Sequence, residues 1–406
     1  MNASSNPLSR PIIVGLDFGT SGTAFSYAKP VKTGPRQYGN VFTPDPWPSG
    51  ASEHKVPTRI AYRCENVEQH GFGQQDFVWG FRVAAGMTMS SWFKVLLHRE
   101  TSGTPYSDGV LDEAVQAGVL RLPRANLHFV CPNGGLDRQP LTVWVTVPVC
   151  WGPAAIGALE TAASRAGFGQ RAIDEVRLAT EADAAIEYVV HLLGNRFEVN
   201  EGVLVCDVGA GTTDVTSFQV TGNGQPIQWN RLRDDQVGGR CAGAAVESNI
   251  YRLLSQRLGP AFESLPVANK GPGSRFGCLL EKAKHEFGPA STEPQPLLLK
   301  MDPRLLANNP YYSDGGVLVT RQDLQQCFDP VLREIIQLVE MEIKLTQLQF
   351  SGVKIKHIVF VGGMIESSYM QRMLEFQFAA SYKLAIPEQP RLAVTKGAAL
   401  RGSRQN

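Results

Sequence analysis

Two short stretches of this chain carry the residue types that handle phosphate. In the first, Asp17 ends an apolar run and is followed by Gly19, Thr20, Ser21 and Gly22. In the second, Asp207 ends another and is followed by Gly209, Ala210, Gly211, Thr212, Thr213 and Asp214. Glycines in a tight turn let backbone N–H groups approach phosphate oxygens with no side chain in the way. Hydroxyls at Thr20, Ser21, Thr212 and Thr213 can donate to the same oxygens. A carboxylate at the strand end can hold a hydrated Mg2+, which keeps several waters and prefers oxygen partners. A lone Asp-x-Gly hairpin is an ordinary turn. Two matching copies 190 residues apart (207 − 17), about half of the 406-residue chain, read as an internal duplication. Facing each other across a cleft, they would grip a polyphosphate and its Mg2+ from both sides.

The elements that must position these turns are legible around them. Residues 12–16 and 203–206 read as strands entering the turns, with 24–28 and 215–220 as the returning strands. Leu141–Val147 alternates strongly β-prone residues. Pro148 and Pro153 then lead into an Ala-rich helix ending near Ala166-Gly167. Glu181–Leu193 is apolar on one helical face, and Phe328, Val331, Leu332, Ile335, Val339 and Ile343 follow the spacing of an amphipathic helix. Residues 353–361 read as a strand stopping at Gly362-Gly363, with Ser367 placed to cap the next helix. Pro- and Gly-rich stretches at 30–57, 101–109, 259–277 and 288–316 read as peripheral insertions. The fold class is α/β.

Composition narrows the function classes. Hydrophobic residues make up 43% and charged ones 19%, enough for a large core and for two or three domains. A net charge of +1 and the lack of a basic stripe interleaved with aromatics argue against nucleic acid and a membrane surface as partners. No apolar run approaches the roughly 18 residues that span a bilayer, and the N-terminus lacks the pattern of a cleaved signal. Seven cysteines (Cys64, Cys131, Cys150, Cys206, Cys241, Cys278 and Cys327) are scattered and fit a reduced, intracellular compartment. His70, His98, His128 and His285 have no partners at metal spacing, and Trp47, Trp79, Trp92, Trp144, Trp151 and Trp229 are dispersed as packing residues. No Ser-His-Asp or Cys-His constellation follows from spacing.

The motifs carry a family resemblance. VGLDFGTSGTAFSYA and VLVCDVGAGTTDVTSF resemble the first and second phosphate motifs of the actin, hexokinase and heat-shock-protein-70 ATPases, the second especially the heat-shock-70 form. HIVFVGGMIESSYMQRML resembles the adenosine motif, and TVWVTVPVCWG with EADAAIEYVV the first connecting region. QVGGRCAG and CLLEKAKHEF resemble segments flanking the nucleotide, and PRLAVTKGAALRG the closing helix. The resemblance implies two lobes, each on a duplicated ribonuclease-H-like βββαβα core, with a nucleotide cleft between them. It places lobe I at residues 1–192, with an insertion at about 50–140 and residues 388–406 returning to it, and lobe II at 193–387, with an insertion at about 240–315.

Carried over residue by residue, the resemblance makes Asp17 and Asp207 the carboxylates that position Mg2+, mainly through water. Gly19, Thr20, Ser21, Gly209, Gly211 and Thr212 become phosphate contacts, Gly238 and Gly239 flank the nucleotide, and Glu281 and Lys284 meet the ribose. Gly362, Gly363 and Met364 belong to the adenosine motif. Lys94 stands where the family has a lysine reaching the terminal phosphate, although its residues alone also allow an ordinary surface lysine. Glu181 becomes the cleft carboxylate acting on the Mg2+ shell or the attacking water, with a helix register one residue from the heat-shock pattern, and Asp214 helps place that water. With Gly15 and Gly22, nine glycines are thereby expected at nucleotide-facing turns.

The pattern also has departures. Met364-Ile365-Glu366 stands where heat-shock chaperones carry an arginine that stacks on adenine, His285 replaces a second one, and Ala210 replaces the middle glycine of the second turn. Only 402–406 follow the closing segment, so the peptide-binding β-sandwich and helical lid of typical chaperones are not expected. The expected cofactors are ATP or ADP and Mg2+, the partner a protein, and the compartment the cytoplasm or nucleus. The expected activity is slow, Mg2+-dependent ATP hydrolysis coupled to lobe opening and closing. The alternatives are a nucleotide-gated binding module with little hydrolysis and a small-molecule kinase of the same superfamily.

Overall fold

The two apolar runs that end in Asp17 and Asp207 become the central strands of two sheets with the same strand order. A computed structural model of the chain describes residues 10–31, 38–44, 54–67, 71–73, 76–84, 86–91, 94, 139–149, 151–224, 226–235, 237–271, 274–288, 297–302, 304, 306 and 309–405. Cys131, Cys150, Trp47, Trp92, His70, His98, His128 and the 101–109 stretch lie outside these residues.

The first half supplies β1 (Ile12–Phe18), β2 (Gly22–Pro30), β3 (Tyr38–Phe42), β4 (Val56–Pro57), β5 (Arg59–Tyr62), β6 (Phe77–Trp79), β7 (Ser90–Ser91), β8 (Leu141–Val147) and β9 (Glu175–Thr180). The second supplies β10 (Glu201–Val208), β11 (Thr213–Gly222), β12 (Gln228–Arg231), β13 (Val237–Gly239), β14 (Leu297–Leu298), β15 (Tyr312–Ser313), β16 (Gly316–Val317), β17 (Lys354–Val361) and β18 (Lys383–Ala385). The large sheets run β3-β2-β1-β8-β9 and β12-β11-β10-β17-β18, with β4 beside β2 and β13 beside β11. In each, the hairpin pair is antiparallel and the next two pairings are parallel. Every residue of β1 and β8 is buried, which is why β1 reads as an apolar run up to Asp17 rather than as an apolar-polar alternation. The duplication seen in the motifs therefore extends to whole sheets.

Helices complete each parallel connection. Pro153–Arg165 joins β8 to β9, with its proline in the first turn where the missing N–H costs nothing. Ser368–Phe378 joins β17 to β18, and Ser367 caps it by accepting from the Met370 N–H. The amphipathic pattern around Phe328 belongs to a longer helix, Arg321–Gln349, started by a reciprocal capping box between Thr320 and Asp323.

Two helices hold the sheets together. Glu181–Leu193 and the closing helix Ala393–Gln405 share a core with both sheets, containing Ile13, Ala184 and Ala185 together with Val203, Val205, Val359 and Val361. Their crossing is close: a Cβ on Gly397 would lie 1.6 Å from the Ala184 carbonyl oxygen. Gly15 serves the same packing, since a Cβ there would meet the Thr395 carbonyl oxygen at 2.3 Å. It is a mid-strand residue under the closing helix, so the expectation that it faces nucleotide is corrected.

Three of the stretches read as peripheral insertions carry structure. Residues 30–57 include β3 and β4, 259–277 include short helices at Pro260–Glu263 and Val267–Lys270, and 288–316 contributes to the small sheet β14-β16-β15. Among the described residues no helix is long and apolar enough to cross a membrane.

Candidate functional site between the two hairpins

The hairpin turns are matched in length. Phe18 pairs with Thr23 and Val208 with Thr213, so four residues close each turn. Both line one cleft of about 660 Å3, together with Asp17, Lys94, Glu181, Asp207, Glu281, Lys284, Gly362, Gly363 and Met364. Gly19, Thr20, Ser21, Gly209, Gly211 and Thr212 all belong to this lining.

Each turn is braced from outside. In the second, the Gly209 N–H donates to the Thr212 carbonyl at 3.0 Å, while Gly243 and Ala244 N–H groups donate to the Gly209 and Ala210 carbonyls at 3.3 and 2.7 Å. Those donors open the helix Gly243–Leu258, so the turn is fixed on a helix N-terminus and its positive potential. In the first turn, Thr58 is the brace. Its hydroxyl donates to the Gly19 carbonyl at 2.8 Å, and its N–H donates to the Ser21 carbonyl at 2.9 Å.

The charged groups converge beside the turns. Lys94 Nζ donates to Glu181 Oε1 at 2.5 Å and lies 5.7 Å from the Trp151 ring centroid. Glu181 is placed as the first residue of its helix, whose cap is Thr180 accepting from the Asp183 N–H at 3.1 Å. Lys55 Nζ donates to Asp17 Oδ2 at 2.7 Å. Thr212 Oγ1 donates to Asp214 Oδ2 at 3.0 Å, which sets Asp214 behind the turn rather than in the cleft lining.

Four carboxylates (Asp17, Glu181, Asp207 and Asp214) thus stand with two ammonium groups (Lys55 and Lys94), leaving two negative charges in excess when all are ionised. Burial, then the Glu181, Asp214 and Asp17 charges, push Asp207 up to about 8 against the pull of Lys55. Burial alone would depress Lys94, but Glu181, Asp17 and Asp214 outweigh it and hold the ammonium above its ordinary value. Such an excess is what a divalent cation would neutralise. Among the described residues no three His, Cys, Asp or Glu side chains converge to hold a metal directly.

The third wall comes from the turn after β17. Gly362 has φ 95°, and a Cβ there would fall 2.3 Å from the Val208 carbonyl oxygen and 2.4 Å from Asp207 Oδ1. Only glycine lets this turn lie against the Asp207 strand. Gly238 and Gly239 lie on β13, against Asp214 and Leu338, and are not among the cleft-lining residues.

Toward the far end, Lys284 is buried between Glu247 at 3.0 Å and Glu281 at 2.5 Å. Burial would lower it, but those two carboxylates hold it well above the ordinary lysine value. Glu281 is held well below the usual carboxylate range, since Lys284 and His285 outweigh the effect of burial. His285 Nε2 lies 3.0 Å from Glu281 Oε1, so this histidine has a carboxylate partner.

The sequence reading missed Lys55, Thr58, Glu247 and Arg391, all in the cleft lining. Lys55 and Thr58 arrive there because β4 pairs with Gly22 and Thr23, a long-range contact with no local signature beyond the Val56-Pro57 that ends a Gly- and Pro-rich stretch. Chemically the arrangement can bind a polyanion through turn amides and two ammoniums, and can position a water near carboxylates.

No family model matches the chain. Among curated proteins, the chain is 24% identical to chaperone protein DnaK of Thermoplasma volcanium over 64% of this chain and 39% of that protein. It is 21% and 20% identical to heat shock 70 kDa protein 12A of Mus musculus and Homo sapiens, each over 96% of this chain and 69% of the relative. The chain therefore spans less than half of that DnaK and about two thirds of the 12A proteins. With these relatives and two like-ordered sheets, the chain is heat-shock-70-like and has the two-lobed actin-like ATPase fold.

Proposed function

We propose that this heat-shock-70-like chain binds ATP with Mg2+ in the cleft, hydrolyses it slowly, and couples the nucleotide state to opening and closing of its lobes on a protein partner. One observation carries the reading: two length-matched glycine turns from duplicated sheets line one cleft that also holds Lys94 and Glu181.

The residues fit the cation. Asp17 and Asp207 would hold Mg2+ mainly through its water shell, where the ion would offset the carboxylate excess that raises Asp207. When bound, Mg2+ supplies charge neutralisation on the phosphates. The protein's own share is positioning. Turn amides and the hydroxyls of Thr20, Ser21 and Thr212 hold the phosphates, and Gly363 and Met364 border the nucleoside. Lys94 places its ammonium on the terminal phosphate, and Glu181, which holds Lys94 in this structure, orients the attacking water or the ion's water shell. We assign Asp214 to the same water through Thr212. The lobe boundaries proposed are residues 1–192 with 388–406, and 193–387; packing of the closing helix against Ile13 and Trp144 supports the return to the first lobe.

A second reading, a nucleotide-gated module with little hydrolysis, is favoured by Glu366 and His285 standing at the adenine positions and by the Lys55–Asp17 pair. Phosphate release from Mg-ATP decides between them. Steady release that Lys94→Ala abolishes supports the enzyme; ATP binding with no release from wild-type protein supports the module.

A further inference from the structure

The nucleoside end of the cleft lacks the two arginines that the family resemblance leads one to expect, and other flat groups stand there. Glu366 occupies one of those positions and forms an ion pair with Arg391 through Oε2. The same oxygen lies 3.6 Å from His285 Nδ1, too far for a hydrogen bond, while His285 Nε2 meets Glu281 at 3.0 Å. Both ring nitrogens therefore face carboxylates, and the residue borders the cleft. His285 and Arg391 both line the cleft. Arg391 sits in the turn Pro390–Leu392, just before the closing helix, and the Pro390 carbonyl accepts from the Gly362 N–H at 3.0 Å. A carboxylate binds a guanidinium along its edge, in plane, so the flat face stays available for stacking.

We infer that Arg391 and His285 hold the purine base of the nucleotide, with Glu366 as the positioning residue that orients both. The cation that stacks on the base has moved from the glycine-pair turn to the turn before the closing helix, and an acid has taken its former place to hold it. This rests on the nucleotide reading above and adds the residues that give the site its preference for a base.

The test compares two probes by calorimetry: Mg-ATP, and ribose 5-triphosphate, which keeps sugar and phosphates without the base. Wild-type protein should bind ATP about tenfold more tightly than the base-free probe, the scale of one good stacking contact. Arg391→Ala and His285→Ala should each lose most of that advantage, weakening the binding of ATP far more than that of the base-free probe. Arg391→Lys, which keeps the charge and the pair with Glu366 but not the plane, should behave like the alanine variant. Equal loss for both probes would show that Arg391 only props up the lobe, and no loss would show that it does not meet the base; either overturns the inference. Wild-type protein that bound both probes equally would also overturn it while leaving the nucleotide site standing. Binding of neither would overturn the nucleotide reading and this inference together.

Discussion

Asp207→Asn should damage function and strengthen the empty fold, and the sign follows from linkage. In the folded cleft Asp207 titrates at about 8, against an ordinary 3.8. Between those values the folded protein keeps a proton that the unfolded chain releases, so the stability contributed by this group is full below the lower value and is lost as pH rises through the upper one. Asparagine has no proton to lose. Moving a carboxyl from 3.8 to about 8 sets a ceiling of about 6 kcal/mol at 1.36 kcal/mol per pH unit. Asp207 is only partly buried and opens on the cleft, so water reduces the effect, and we expect about 1–2 kcal/mol. The assay is thermal unfolding of EDTA-treated protein at pH 5 and pH 8.5. Wild type should fall relative to Asp207→Asn between the two, leaving the variant a few degrees more stable at pH 8.5. Added Mg2+ should restore wild type and leave the variant unmoved. If the variant is no more stable than wild type at pH 8.5, with the same dependence on pH, the carboxylate crowding does not exist in solution.

Three further outcomes follow from single positions. Lys94→Ala leaves the glycine turns intact, so it should abolish phosphate release while ATP binding, measured by calorimetry, stays within a few-fold of wild type. Gly397→Ala puts a Cβ 1.6 Å from a backbone oxygen that cannot rotate away, and should cost about 2–4 kcal/mol in chemical denaturation. Gly157→Ala, in the helix Pro153–Arg165 with open space around the new Cβ, should instead stabilise by about 0.5–1 kcal/mol. The same substitution thus takes opposite signs at two helical glycines.

What was legible in the sequence was what is local. The strand–glycine turn–strand pairs announce themselves because apolar runs, turn glycines and a strand-end acid fall within a dozen or so positions, and the structure extends them into like-ordered sheets. The helix Glu181–Leu193 was legible for the same reason, through one apolar face. Gly15 misled because a glycine before a phosphate-type turn looks like part of it, while its actual constraint is the closing helix, 380 positions away through Thr395. Lys55 reaches Asp17 only because β4 pairs with β2, and Arg391 finds Glu366 only through the fold. β12 and β13 were missed as well, being short and partly exposed, with no apolar run to mark them.

Whether the two aspartate hairpins form one site for a polyphosphate and its cation is tested by calorimetric titration of ATP into wild-type protein, Asp17→Asn and Asp207→Asn, each with and without Mg2+. Wild-type binding should tighten by at least tenfold when Mg2+ is added, and both variants should lose that gain, since in the proposed site each removes one of the two carboxylates serving the same ion. Binding indifferent to Mg2+, or a loss in one variant only, would contradict a shared site.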